Sequence, residues 1–185
     1  MPCTIPRNGQ AAAQNNQRIR GDNNIENVKG LLELARKLDM IVPHQYSMGV
    51  SNPYEKRQKG SPFTLYGPII DDPKPLNKGK EHCVPKSTHD SFFHAPMDDL
   101  LTTFAKEVDT VIPTGTLTRV RAPYALSGYC VRGYRVIVPM GGVIEVTPGS
   151  QAMTLHVMSI RSAAYPATIT LSNMTTFEPS PQTGK

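Results

Sequence analysis

The sequence predicts a mainly β chain: an antiparallel β-sandwich preceded by an extended N-terminal arm and two short helices. Three observations predict it. Short β-branched runs recur between residues 114 and 173 at spacings near ten, with turn residues between them. Seventeen prolines and fourteen glycines suit long connections and sheets better than a helix-rich interior, because proline fixes φ and removes a backbone donor. Residues 1–24, rich in Asn, Gln, Ala and Arg, hold too little apolar surface to offset the entropy of ordering them.

Taken in order, residues 1–24 read as a flexible basic arm. Arg7, Arg18 and Arg20 face a single acid, Asp22, and are the candidates for contact with nucleic acid. Residues 25–43 read as an amphipathic helix running into an extended segment. Ile25, Val28, Leu31, Leu32, Ala35 and Leu38 recur at spacings of three and four, and the residue before Pro43 favours extended geometry. Residues 44–96 read as a long irregular connection in which only "FTLYGPII" looks like a strand. Residues 97–173 read as a second helix followed by the sandwich. Asp98 and Asp99 sit where acids favour the positive end of a helix, and Leu101, Phe104, Ala105 and Val108 form its stripe. The expected strands are "TLTRVRAPY", "YCVRGYRVIVP", "GVIEVTPG", "AMTLHVMSI" and "ATITLSN". Residues 174–185 read as a loose tail.

The phrase "LLELARKLDMIVP" (31–43) returns as "LTTFAKEVDTVIP" (101–113), with Ala35 matching Ala105 and Asp39 matching Asp109. The net charge of +5 permits polyanion contact without demanding it. Three scattered cysteines argue against a disulfide framework and suit a reducing compartment. The amino terminus lacks the apolar core of a secretory signal, so synthesis in the cytosol is expected.

One cluster could carry chemistry. His82, Cys83, His89, Asp90 and His94 fall in "EHCVPKSTHDSFFH", where imidazole and thiolate are the ligand types that hold zinc. The closely spaced cysteine pair of such sites is missing. A Cys83 thiolate paired with His89 or His94 would still need an orienting group and an oxyanion pocket. Arg119 and Arg121, two apart in an expected strand, would share a face.

"NVKGLLELARKLDMIVP" resembles the segment that precedes the β-barrel in capsid proteins of picornaviruses and their relatives. Val28, Lys29, Leu32, Glu33, Leu34, Ala35, Asp39, Ile41 and Pro43 carry the likeness. The resemblance implies a jelly-roll-like shell protein, with no enzymatic activity and no cofactor. It implies self-assembly with copies or related subunits around RNA, in the virion and, during assembly, in the host cytoplasm. Val28, Leu31, Leu32, Ala35, Leu38, Ile41 and Pro43 would then pack between subunits. A non-capsid accessory or RNA-binding subunit, and a zinc or cysteine enzyme centred on residues 82–94, are the alternatives.

Overall fold

The first helix, α1 (Gly21–Lys37), buries Val28 and Leu32 and carries Arg36 and Lys37 in its last turn. Asp39 stops it. Its φ of 53° is left-handed, a conformation that Asp tolerates. The Met40 amide then reaches the Ala35 carbonyl at 2.9 Å, and the Asp39 amide reaches that of Arg36 at 3.3 Å. These bonds satisfy carbonyls that the helix end would otherwise leave open. The chain turns directly into β1 (Val42–Ser47). The structure, a computed structural model, describes residues 21–47, 76, 79–86, 88–116, 118–145, 147–160 and 167–172.

After β2 (Glu81–Lys86) come α2 (Met97–Phe104), β3 (Thr110–Val111), β4 (Gly115–Thr116) and α3 (Ala122–Cys130). Then follow β5 (Arg135–Pro139), a short 3-10 turn (Met140–Gly142), β6 (Val143–Ile144), α4 (Pro148–Ser159) and β7 (Ala167–Thr170). Every described strand pairing is parallel: β1 with β2, β3 with β5, β5 with β7, and β4 with β6. Parallel strands need crossover connections, and α3 and α4 supply them for β3–β5–β7.

The antiparallel jelly-roll-like sandwich is therefore corrected to an α/β architecture. Ten-residue spacing of β-branched runs does not separate strands from short helices. "AMTLHVMSI" reads as alternating but forms most of α4. Thr147 caps that helix by accepting from the Ser150 amide at 3.1 Å, and Pro148 fills the first turn. "TLTRVRAPY" is a two-residue strand, a turn and the start of α3, so Arg119 and Arg121 do not lie on a strand. "FTLYGPII", the arm residues Arg7, Arg18 and Arg20, and the tail from residue 174 lie outside the described residues.

The repeated phrase has a structural counterpart. Both copies run from a helix through an Asp-bearing turn into the first strand of a parallel sheet, α1 into β1 and α2 into β3. The stripe of α2 is shifted from the expected one: Met97, Leu100 and Leu101 are buried, whereas Phe104 and Val108 are exposed.

The core joins Val84 of β2, Phe92, α2, Leu126 and Tyr129 of α3, Val136 and Val138 of β5, and Met158 of α4. Phe92 is its hinge. Tyr129 meets its ring edge-on at 4.9 Å, and the Arg132 guanidinium lies 3.7 Å above it while also gripping Asp98 with two bonds of 2.6 and 2.7 Å. Gly128 lets α3 approach this ring, since a Cβ there would stand 2.5 Å from Phe92 Cδ2. Gly128→Ala is expected to destabilise the chain by roughly 1–3 kcal/mol through overpacking. Urea unfolding reads this as a lowered midpoint, and an unchanged midpoint would contradict the close approach.

Candidate functional site

In parallel sheets a crevice forms outside the carboxyl ends of the strands, at the point where chain order runs outward in both directions. Here β1 is followed outward by β2, and β3 by β5 and β7. Among the described residues β1 pairs only with β2 and β3 only with β5. Both strands border one cavity of about 680 Å³, mostly apolar, with Ile41 to Gln45 on one side and Thr110 to Gly115 on the other.

Polar chemistry gathers where Lys86 closes β2. Lys86 is 3% exposed, and its Nζ donates to the His89 carbonyl at 3.4 Å. Burial and then the positive charge of Arg121 lower its pKa to about 8, against a weaker opposing pull from Asp90. Asp90 Oδ1 accepts from the Phe92 and Phe93 amides at 2.7 and 3.4 Å, which shapes the turn after β2. Ser91 in that turn is fully buried. Its hydroxyl donates to Gln45 Oε1 at 2.9 Å, and Gln45 Nε2 donates back to the Ser91 carbonyl at 3.4 Å. This reciprocal clasp fixes the turn to β1.

Arg121 stands at the head of α3, on the same cavity. Its position follows from the turn before it. The Arg119 amide donates to buried Glu145 Oε2 at 2.6 Å, and the Thr118 amide donates to the Ile144 carbonyl at 2.9 Å. The turn is thereby pinned to β6 and its neighbour.

A second network lies at the opposite ends of β1 and β2. Arg36 grips Glu81 with bonds of 2.8 and 3.0 Å, and the Leu76 amide adds a third at 3.2 Å. Burial pushes the Glu81 carboxyl up, but the bonds from Arg36, Leu76 and His44 outweigh it and hold the group at about 2. His44 Nε2 lies 2.9 Å from Glu81 Oε2. This contact has the geometry of an ion pair, yet burial lowers the His44 pKa to about 4. At neutral pH it is a hydrogen bond from a neutral imidazole, which assigns the proton to Nε2 and leaves a lone pair on Nδ1.

The cluster expected at residues 82–94 does not converge. His82 stacks on Phe104, His89 lies beside Tyr124, and His94 meets Phe93, each in a different place. Cys83 is exposed. No group of three metal-binding side chains forms among the described residues. Of that stretch, Lys86 and Ser91 border the cavity, while Cys83 and Cys130 do not. Burial raises the Cys130 thiol pKa. Val28 and Leu32 are buried within this chain. Leu31, Ala35, Leu38, Ile41 and Pro43 line the cavity together with them.

The isochorismatase domain matches residues 7–171, nearly the whole chain. The chain belongs to the isochorismatase family. Solved structures agree on the fold. An isochorismatase-like hydrolase from Alkaliphilus metalliredigens superposes with a TM-score of 0.65 at 22% identity, covering 83% of this chain and 82% of that one. A cysteine hydrolase from Pseudomonas syringae pv. phaseolicola gives 0.67 at 18% identity, with coverages of 82% and 78%. A nicotinamidase from Staphylococcus aureus gives 0.58 at 17%, with 78% and 84%. No curated protein matches the chain.

Family membership corrects the capsid resemblance and what it implied. The segment from Val28 to Pro43 is α1 and the entry to β1 of an isochorismatase domain, not the arm of a shell subunit. The expectation of a protein without enzymatic activity falls with it, because the family is one of hydrolases. Capsid subunits and genomic RNA as partners, and the accessory or RNA-binding alternative, are replaced too, and so is the zinc or cysteine enzyme centred on residues 82–94, which rested on that cluster. The likeness to capsid segments reflected common helix formers, Leu, Ala, Lys and Glu, before an extended run.

Proposed function

We propose that the chain hydrolyses a small organic substrate held at the carboxyl ends of β1, β2 and β3, with Lys86 handling the proton. The observation that carries this is a lysine buried at a cavity wall and lowered to about 8, where its ammonium and amine forms are both accessible near neutral pH. Neither Cys83 nor Cys130 borders that cavity, so the attacking group is water rather than either of these thiols. The oxygen of water bonds to the scissile carbon, and the bond to the leaving group breaks. The Lys86 ammonium gives its proton to the leaving group, and the resulting amine takes one from the attacking water. The family and the nicotinamidase among its structural likenesses make a small amide the first substrate to try.

Ammonia release from nicotinamide and related amides tests this in three proteins: wild type, Lys86→Met, and a variant with Cys3, Cys83 and Cys130 all changed to Ser. Turnover is expected in the wild type and the serine variant and is expected to vanish in Lys86→Met. A folded serine variant without activity, beside an active Lys86→Met, would overturn the assignment.

A further inference from the structure

We propose that His44 recognises a hydrogen-bond donor at the end of the ligand remote from Lys86, so that the cavity selects elongated molecules carrying an N–H or O–H there. The inference rests on the hydrolase reading above for the place of the scissile bond, and deepens it by naming the substrate class. Three observations carry it. First, His44 borders the cavity, is only 1% exposed, and its Nδ1 has no hydrogen-bond partner among the described residues. A buried polar nitrogen without a partner is costly, and a bound group that supplies the missing bond removes that cost. Second, the ring is held so that Nδ1 can only accept. Nε2 lies 2.9 Å from Glu81 Oε2, and Arg36 grips the same carboxylate at 2.8 and 3.0 Å. An ionised carboxylate accepts and does not donate, so the proton sits on Nε2 and a lone pair on Nδ1. The unfilled nitrogen therefore takes an N–H or O–H and rejects a carbonyl or carboxylate oxygen. Third, the side chains of α1 that border the cavity are Val28, Leu31, Leu32 and Ala35, all apolar. A water on Nδ1 would find no second partner among them, whereas the body of an organic ligand packs against them.

The strand register sets the length of the ligand. His44 pairs with Cys83, and Lys86 pairs with Ser47, three positions further along both strands. Three positions span about 10 Å and, because side chains alternate, put His44 and Lys86 on opposite faces of the sheet. The cavity borders both residues. It reaches them past the edge of β1 that pairs with no described strand. A molecule touching both groups needs an amide at one end, a donor at the other and an apolar body between. A para-substituted aromatic amide has that shape.

Calorimetric titration of the full chain at neutral pH with para-hydroxybenzamide, para-methylbenzamide and para-methoxybenzamide tests the proposal. The three share a ring and an amide, and only the first carries a donor at the far end. It is expected to bind about tenfold or more tightly than the other two. His44→Phe should abolish that preference. In the wild type, the nitrogen NMR resonance of His44 Nδ1 should shift on addition of para-hydroxybenzamide and stay in place with para-methylbenzamide, a readout independent of whether His44→Phe folds. No binding of para-hydroxybenzamide, equal affinities for the three, a preference that persists in a folded His44→Phe, or an Nδ1 resonance that the hydroxyl compound leaves unmoved would each overturn it. Turnover of amides with no preference for the hydroxyl would sink this inference and leave the hydrolase reading standing. Hydroxyl-dependent binding that moves Nδ1, without turnover of any amide, would do the reverse.

Discussion

Lys86→Met is expected to lower turnover by at least ~100-fold, the usual scale of a lost proton-transfer group, while making the protein more stable at neutral pH. The two effects share a cause. The folded chain holds this ammonium out of water and near Arg121, which lowers its pKa from 10.5 to about 8. Below pH 8 both the folded and unfolded chains are protonated, and the folded one bears the full cost of the buried charge. Between 8 and 10.5 the folded chain has released its proton and the unfolded chain still binds one, so stability rises with pH. Above 10.5 the cost is gone. Methionine fills a similar volume without the charge, so the variant should gain roughly 1–3 kcal/mol at pH 7 and progressively less toward pH 10.5. Urea unfolding at both ends of that window measures it. A variant less stable than wild type at pH 7 would contradict the buried, uncompensated ammonium.

Glu81→Leu is expected to cost roughly 2–4 kcal/mol, because it removes the one buried carboxylate shared by the Arg36 guanidinium and the His44 imidazole N–H. Arg36 retains some solvent contact, which keeps the figure below that of a fully enclosed pair. Acid should dismantle the network in two stages. His44 is neutral in the folded chain down to about pH 4, whereas an unfolded histidine takes a proton near 6.5. Between these values the unfolded chain binds more protons, so stability falls as pH drops from 6.5 to about 4. Glu81, held at about 2 from 4.5, contributes stability that is complete above 4.5 and lost as pH falls through about 2. His44→Gln should remove the upper stage and leave the lower one. Thermal unfolding followed from pH 7 to 2 separates them, and a single step in both proteins would refute the assignment of a neutral, buried His44.

Much of the local structure was legible, and its assembly was not. The stripe of α1 and the acidic first turn of α2 were readable because periodicity and helix-end charge act locally. The repeat ending at Pro43 and Pro113 held more than its reading drew from it. It marks the two helix-to-strand units that meet at the cavity. The strands were misassigned as antiparallel because α4, "PGSQAMTLHVMS", alternates like a strand, and its Thr147 cap falls within the expected strand "GVIEVTPG". Helical stretches between β-branched runs were the available signal for a parallel sheet. The site was hidden for a different reason. The one short stretch dense in ligand-type side chains, with His82, Cys83, His89 and His94, does not bring them together. The cavity instead draws Gln45, the pair Lys86 and Ser91, and Arg121 from three separate places. Lys86 looked like one more cation in a lysine-rich connection, since nothing in "HCVPKS" announces that β2 buries it.

No two strands adjacent along the chain form a hairpin among the described pairings. Thr110 meets Arg135, Val136 meets Ala167, and Val42 meets Glu81, each contact closing more than twenty residues of intervening chain. Folding therefore cannot start from a tight local turn and zip outward. Chain entropy must be given up before the first rung of any ladder forms, which places refolding on the slow side for a polypeptide of this size. While it waits, the β-branched runs that become interior strands stay uncovered, and the nascent protein is most open to aggregation before its helices have crossed over.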